Sequence, residues 1–83
     1  MSTRPIGTPA PVRVIAAPGG APHAVIIDGR RRRVVAIRDD WRVQDRWWTD
    51  QPVDRHYFEV VLEPGRLMVL YREHPSGQWL AHP

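Results

Sequence analysis

Apolar and polar side chains alternate in short runs along most of the sequence, with turn-forming residues between the runs. The period within each run is close to two, and β-branched and aromatic residues are frequent, which is typical of strands with one packed face. No stretch of ten or more residues keeps the 3.6-residue period of a helix, and the nine prolines disfavour one. The pattern predicts seven strands, at residues 12–16, 23–27, 33–37, 41–47, 55–63, 66–73 and 78–81.

The predicted fold class is all-β, a small antiparallel meander of about six to seven short strands that forms an SH3-like or OB-like barrel or half-barrel. Asp28-Gly29 is a strong hairpin signal. Arg38-Asp39-Asp40 predicts a break before the strand at 41–47, although Asp40 could instead cap a short helix. Residues 1–11 contain three prolines and few large apolar side chains. They predict a disordered Pro-rich tail before a single small β domain at 12–83.

Two turns near the C-terminus determine which side chains share a face. If Pro64-Gly65 forms a two-residue loop, the apolar face of its hairpin collects Phe58, Val60, Leu62, Leu67, Val69 and Tyr71. A four-residue loop over 74–77 then places Arg72 across from both Tyr57 and Trp79, on the less apolar face. A change of one residue in loop length would move Trp79 to the core face.

The stretch "WRVQDRWW" at residues 41–48 holds three of the four tryptophans. In a strand, Trp41 and Trp47 point to one side together with a valine, and the sequence predicts that both belong to the core. Arg42, Arg46 and Trp48 point to the other side. We therefore expect Trp48 to be exposed beside guanidinium groups.

Composition places the chain among small domains with a mild excess of positive charge. It has 83 residues and no cysteine, which excludes disulfides and thiolate metal sites. All twelve basic residues are arginine, and nine acidic residues leave a net charge of +3. Arginine pairs with phosphate or carboxylate and stacks on aromatic rings, although a GC-rich genome also replaces lysine by arginine. No signal-peptide pattern or membrane-spanning apolar run is present, so we expect a cytoplasmic protein without a membrane partner.

Arginine interleaved with aromatic residues is typical of surfaces that bind single-stranded nucleic acid, and equally of protein-interaction hot spots. The run of four arginines after Asp28-Gly29 could contact phosphates, or could simply be a solvated hairpin tip protected from edge pairing by its charge. The candidate nucleic-acid or partner-binding residues are Arg30, Arg31, Arg32, Arg33, Arg42, Arg46, Trp48, Tyr57, Arg72 and Trp79.

Residues suited to catalysis are scattered. The four histidines form no His-x-x-x-His pair, and no phosphate-cradling glycine loop is present. Asp54 and His56 could lie on one side of a strand, yet no nucleophile is spaced to use them. The sequence predicts a protein that is not an enzyme and that needs neither a metal nor a cofactor.

The segment over 33–82 carries a pattern of aromatic residues and turns, formed by Trp41, Trp47-Trp48, Arg55-His56-Tyr57-Phe58, Gly65-Arg66 and Ser76-Gly77-Gln78-Trp79. This pattern resembles a family of short bacterial domains of unknown function that occur as stand-alone proteins. Other members resemble C-terminal extensions of inactive Y-family DNA polymerase homologues of damage-induced mutagenesis. The resemblance implies a link to translesion synthesis and transfers no catalytic residue.

Taken together, these patterns predict a non-enzymatic interaction module that docks a protein or single-stranded nucleic acid through an arginine–aromatic face. A homodimer formed through an edge strand is a further expectation. The alternative is a purely structural accessory domain with no ligand of its own.

Overall fold

The computed structural model describes residues 9–82, and this part of the chain is all-β. Its strands are β1 (Ala10–Pro11), β2 (Arg13–Ala16), β3 (Pro22–Ile27), β4 (Arg30–Asp45), β5 (Val53–Leu62), β6 (Arg66–Glu73) and β7 (Trp79–His82). They form one antiparallel sheet in the order β1-β7-β6-β5-β4-β3-β2, curled into a half-barrel. The predicted fold class is confirmed, and the described residues include no helix that could span a membrane.

The N-terminal segment joins the two ends of the sheet. β1 pairs with β7, whereas β2, which begins after the single residue Val12, pairs with β3. The Val12 N–H donates to the Trp79 carbonyl at 3.1 Å. Of the predicted tail, residues 1–8 lie outside the described residues, and Ala10–Pro11 belongs to the sheet, so the predicted boundary at residue 11 is too late.

The β3–β4 hairpin turns at Asp28-Gly29, as the sequence predicts. Ile27 lies opposite Arg30, so the loop has two residues. Asp28 and Gly29 have φ values of 51° and 76°, which are those of a type I′ turn. The turn matches the right-handed twist of the strands and projects the arginine run at one end of the half-barrel.

β4 is one continuous strand of 16 residues, so the predicted break at 38–40 is wrong, as is the alternative of a helix beginning at Asp40. Its pairing with β5 shifts register between Val34 and Ala36 and again between Ile37 and Asp39. Such bulges bend a strand without ending it. The acidic pair is therefore accommodated inside the strand. β4 ends at Asp45, before the last two tryptophans of the 41–48 stretch.

The β5–β6 hairpin has a three-residue connection, because Leu62 lies opposite Arg66. The predicted two-residue loop is wrong by one residue, and Gly65 at φ 150° accommodates the longer turn. Phe58 consequently lies opposite Leu70, and Tyr71 moves to the other face. The β6–β7 turn is as predicted, with Arg72 opposite Trp79.

The core occupies the concave face of the half-barrel. Its buried side chains are Val25, Phe58, Val60, Leu62, Leu70 and Trp79. Because the β5–β6 register differs by one from the prediction, the pair Arg72–Trp79 faces this core. Trp79 is only 9% exposed, so its predicted place on an exposed binding face is wrong.

Candidate binding surfaces

The most exposed indoles lie in the β4–β5 loop. Trp47 is 76% exposed and Trp48 is 66% exposed. Their rings pack edge to face, with centroids 5.6 Å apart and planes at 89°. The predicted exposure of Trp48 is confirmed, whereas the predicted burial of Trp47 is wrong, because the strand has ended before either residue.

Turn chemistry explains why the strand ends there. The Asp45 carboxylate accepts a hydrogen bond from the Arg46 N–H at 2.7 Å, and Arg46 has a positive φ of 54°. Thr49 then donates twice to the Arg46 carbonyl, from its N–H at 3.0 Å and its hydroxyl at 2.8 Å. Aspartate and threonine form such local bonds readily. Period-two alternation therefore stops at Asp45, and it could not decide the side of Trp47.

A second aromatic group lies on the face opposite the core. Trp41, predicted to be buried, is 40% exposed and stacks on Tyr57, with ring centroids 5.3 Å apart. Tyr57 contacts Tyr71 at 4.9 Å between centroids, and the Arg55 guanidinium lies 4.8 Å from the centre of the Tyr71 ring. These four residues form the outer aromatic row. Of them the sequence singled out only Tyr57 as a binding residue.

The outer aromatic row is buried at Tyr71 and exposed at Trp41. Tyr71 is only 2% exposed, and this burial raises the pKa of its hydroxyl above the ordinary range. The hydrogen bond with the Tyr57 hydroxyl, at 3.5 Å, raises the pKa of Arg55. The row is therefore part of the fold at Tyr71 and becomes accessible only towards Trp41.

The arginines after the Asp28-Gly29 turn divide between two sides of the sheet. Arg30 and Arg32 line a cleft of about 380 Å3 together with Arg66 and Asp28. Arg33 is exposed and pairs with Glu63 at 3.7 Å. The alternate members thus do not form a single patch of four charges, as strand geometry requires. We call Arg30, Arg32 and Arg66 the arginine cleft.

The predicted binding residues do not converge on one face. The arginine run forms the first four residues of β4, and the exposed tryptophans follow its last residue, so the two groups lie at opposite ends of this 16-residue strand. Arg42 and Arg72 lie on the concave face, Tyr57 lies on the outer face, and Trp79 is in the core. Only Arg46 and Trp48 share the β4–β5 loop.

The concave face carries a third feature, a cleft of about 410 Å3 between the β2–β3 loop and β4, which we call the concave cleft. Arg42 donates two hydrogen bonds to the Asp54 carboxylate, at 3.0 and 2.9 Å. This contact lowers the pKa of Asp54 and raises that of Arg42. Arg42 is therefore neutralised by a partner within the fold.

Asp54 and His56 do not act as a pair. Asp54 is engaged by Arg42, and the His56 Nε2 lies 2.8 Å from the Asp40 carboxylate. Both side chains are thus committed to β4. Within residues 9–82, no cluster of three or more histidine and acidic side chains is placed to hold a metal ion.

Three surface residues that sequence reasoning missed are Trp47, Arg55 and Arg66. Trp47 could have been found from the Asp45-Arg46 and Thr49 turn signals, which end the strand early. The surroundings of Arg55 and Arg66 depend on the register of the β5–β6 hairpin, and the register predicted from the sequence was wrong by one residue. No local signal separates a two-residue from a three-residue loop here.

Comparison of the chain with family models, with curated proteins and with solved structures finds no match in any of the three. The functional conclusion therefore depends on the chemistry of these surfaces.

Proposed function

We propose that this protein is a non-enzymatic binding module that docks single-stranded nucleic acid on the indoles of its β4–β5 loop. The observation that supports this most directly is the exposure of two adjacent tryptophans, Trp47 and Trp48, at 76% and 66%. A small domain needs its large apolar side chains for its core. Two indoles held in solvent on a hydrogen-bonded turn therefore favour a ligand that covers them.

The arrangement of the two rings favours unpaired bases. Base–aromatic stacking stabilises single-strand complexes by about 1–3 kcal/mol per base and tolerates any sequence. Because the planes of Trp47 and Trp48 are at 89° to each other, two stacked bases could not remain parallel as they are in a duplex. A flexible single strand can splay its bases in this way, whereas a duplex would have to unstack.

The arginines supply the electrostatic part of the proposal. Arg46 flanks the indoles directly, and the arginine cleft lies at the other end of β4. An oligonucleotide that reaches from the β4–β5 loop to the arginine cleft would have to run along the 16 residues of β4. Short oligonucleotides would engage the loop alone, and longer ones would add phosphate contacts that weaken with salt.

A link to translesion synthesis is part of this proposal and is supported by the resemblance of the residue 33–82 pattern to domains of the mutagenesis system. Synthesis past a lesion exposes unpaired template, which is the ligand that the loop chemistry favours. In this proposal the domain binds the unpaired template and has no catalytic role.

The test uses fluorescence anisotropy of labelled oligonucleotides, because this signal does not depend on the tryptophans. We expect the protein to bind single-stranded DNA at low salt, less tightly as salt rises, and to prefer it to a duplex of equal length. Replacing both Trp47 and Trp48 by alanine is expected to weaken binding about tenfold or more, as the loss of two stacking contacts implies. Trp41→Phe, which changes an exposed indole outside the loop, is the matched control.

Two results would contradict the proposal. One is the absence of binding up to high micromolar protein, and the other is unchanged affinity in the Trp47→Ala/Trp48→Ala variant. Either would favour the use of the indole pair as a protein-interaction hot spot, or a purely structural accessory domain.

A further inference from the structure

Arg72 differs from the other arginine of the concave cleft because it has no counter-charge. Arg42 is held by Asp54, whereas no carboxylate of residues 9–82 lies within ion-pairing distance of Arg72. The Arg72 Nε is also buried without a hydrogen-bond acceptor. A partly buried cation without a partner is costly, so its retention calls for an anion that the protein itself does not provide.

Three elements hold the Arg72 guanidinium in place. It lies over the ring of buried Trp79, 5.9 Å from the ring centroid. A Cβ added at Gly77 would lie 3.3 Å from its Nη2, and one added at Gly20 would lie 3.8 Å from its Nη1. The glycines come from the β6–β7 turn and the β2–β3 loop, so the guanidinium is positioned by the fold before any ligand arrives.

The surroundings of Arg72 suit a small ligand with one anionic end. Ile37 and Phe58 give the cleft an apolar wall, and His74 adds a side chain that can donate a hydrogen bond. Asp40 is the one carboxylate on the lining, and it is already bound to His56 at 2.8 Å. A volume of about 410 Å3 falls within the range of small-molecule sites.

We propose that the concave cleft binds an oxyanion group of a small ligand, either a phosphate monoester or a carboxylate, with the Arg72 guanidinium as the main donor. The planar fork of arginine pairs with either group through two parallel hydrogen bonds. The site uses none of the loop tryptophans, so it can exist whether or not the domain binds nucleic acid.

The experiment is an NMR titration of the whole chain with phosphate, acetate and chloride at constant ionic strength. We expect saturable shifts of the Arg72 side-chain Nε–H resonance and of the Gly20 and Gly77 amides. Arg72→Gln is expected to weaken binding about tenfold or more, the usual effect of losing a charge-assisted pair. Arg38→Gln, an equal charge change outside the cleft lining, should leave the affinity unchanged.

The anions distinguish the two ligand sources. Tighter binding of phosphate than of acetate assigns the site to phosphate monoesters, and the reverse assigns it to carboxylates. Equal shifts with chloride, or shifts spread over exposed arginines without saturation, would overturn the proposal. If Arg72→Gln fails to fold, the Nε–H shift of the unaltered protein decides alone. Trp47→Ala/Trp48→Ala should bind phosphate normally, which separates this test from that of nucleic-acid binding.

Discussion

Trp41 lies flat on Tyr57, with their ring planes 1° apart and their centroids 5.3 Å apart, on the face of the sheet opposite the core. The two residues are directly opposite each other on β4 and β5. Such cross-strand aromatic pairs stabilise a sheet beyond the area they bury. The pair thus fastens the long strand β4 to the centre of the sheet.

Loss of this pair should be measurable as a loss of stability. We expect Trp41→Ala to lower the free energy of unfolding by about 1–2 kcal/mol, since the indole is only partly buried. Trp47→Ala should change it by less than about 0.5 kcal/mol, because that indole is exposed on a loop. Urea denaturation followed by circular dichroism gives both values. A larger effect at Trp47 would contradict the assignment of the two indoles.

Alkaline pH should weaken the fold through Tyr71. Burial raises the pKa of its hydroxyl above the ordinary value of 10.0. At a pH between these two pKa values, the folded state therefore keeps the hydroxyl proton that the unfolded state has lost. The contribution is fully present below pH 10.0 and is lost as pH rises through the folded pKa. We expect Tyr71→Phe to flatten the alkaline limb of stability against pH, measured by urea denaturation at several pH values. An unchanged limb would show that Tyr71 is not its source.

Acid should release the contact between Arg42 and Asp54. The hydrogen bonds from Arg42 lower the pKa of Asp54 below its ordinary value of 3.8. The contribution of this contact is therefore present above pH 3.8 and is lost as pH falls through the lower, folded value. In Arg42→Gln we expect the pKa of Asp54 to rise towards the ordinary value, followed by the carboxyl carbon shift. Arg38→Gln, whose partner is Glu59, should leave Asp54 unaffected.

Two glycines with nearly the same backbone conformation allow a matched comparison. Gly29 and Gly77 have φ values of 76° and 77°, so alanine is strained at either position by about 1–2 kcal/mol. A Cβ at Gly29 meets nothing within 4 Å, whereas one at Gly77 lies 3.3 Å from the Arg72 Nη2. We expect Gly77→Ala to destabilise the domain more than Gly29→Ala and to move the Arg72 Nε–H resonance. Equal losses of stability in the two variants, together with an unmoved resonance, would show that Gly77 does not position the Arg72 guanidinium.

The arginine cleft should contribute to the salt dependence of nucleic-acid binding. We expect Arg30→Ser/Arg32→Ser to reduce the slope of log affinity against log salt by about 0.7 per lost phosphate contact, for oligonucleotides that reach the cleft. Arg31→Ser/Arg33→Ser removes the same charge outside the cleft lining and should change the slope less. Equal slopes in the two variants would show that only net charge matters.

The sequence predicted the strands well because alternation and turn residues are local signals. Asp28-Gly29 correctly predicted the β3–β4 hairpin. The four-residue turn predicted over 74–77 correctly gave the pairing of Arg72 with Trp79. The connection at Pro64-Gly65 has one residue more than predicted, so the side chains of β6 and β7 lie on the faces opposite to those predicted. Trp79 is consequently in the core and Tyr71 is in the outer aromatic row. Faces depend on cumulative register, so a single error carries through every later strand.

The candidate site was harder to predict than the fold, because it depends on which segments the curled sheet brings together. The exposure of Trp48 was predicted from strand alternation, but the strand ends at Asp45 and the residue is exposed because it lies in the β4–β5 loop. The position of the Arg72 guanidinium against Gly20 and Gly77 could not be predicted, because these glycines come from loops that are 57 residues apart in the chain. Only the closed three-dimensional arrangement joins them.

The pairing of Ala10 with Ala81 has a consequence for how the domain is made. Of the seven strands, the one that leaves the ribosome first has to wait for the one that leaves last. A nascent chain can assemble the hairpins between β3 and β6 early, but its N-terminal segment stays unattached to β7 until translation has passed residue 82. Closure of the β1–β7 edge therefore depends on a contact between residues 71 positions apart, which is of the long-range kind that slows folding.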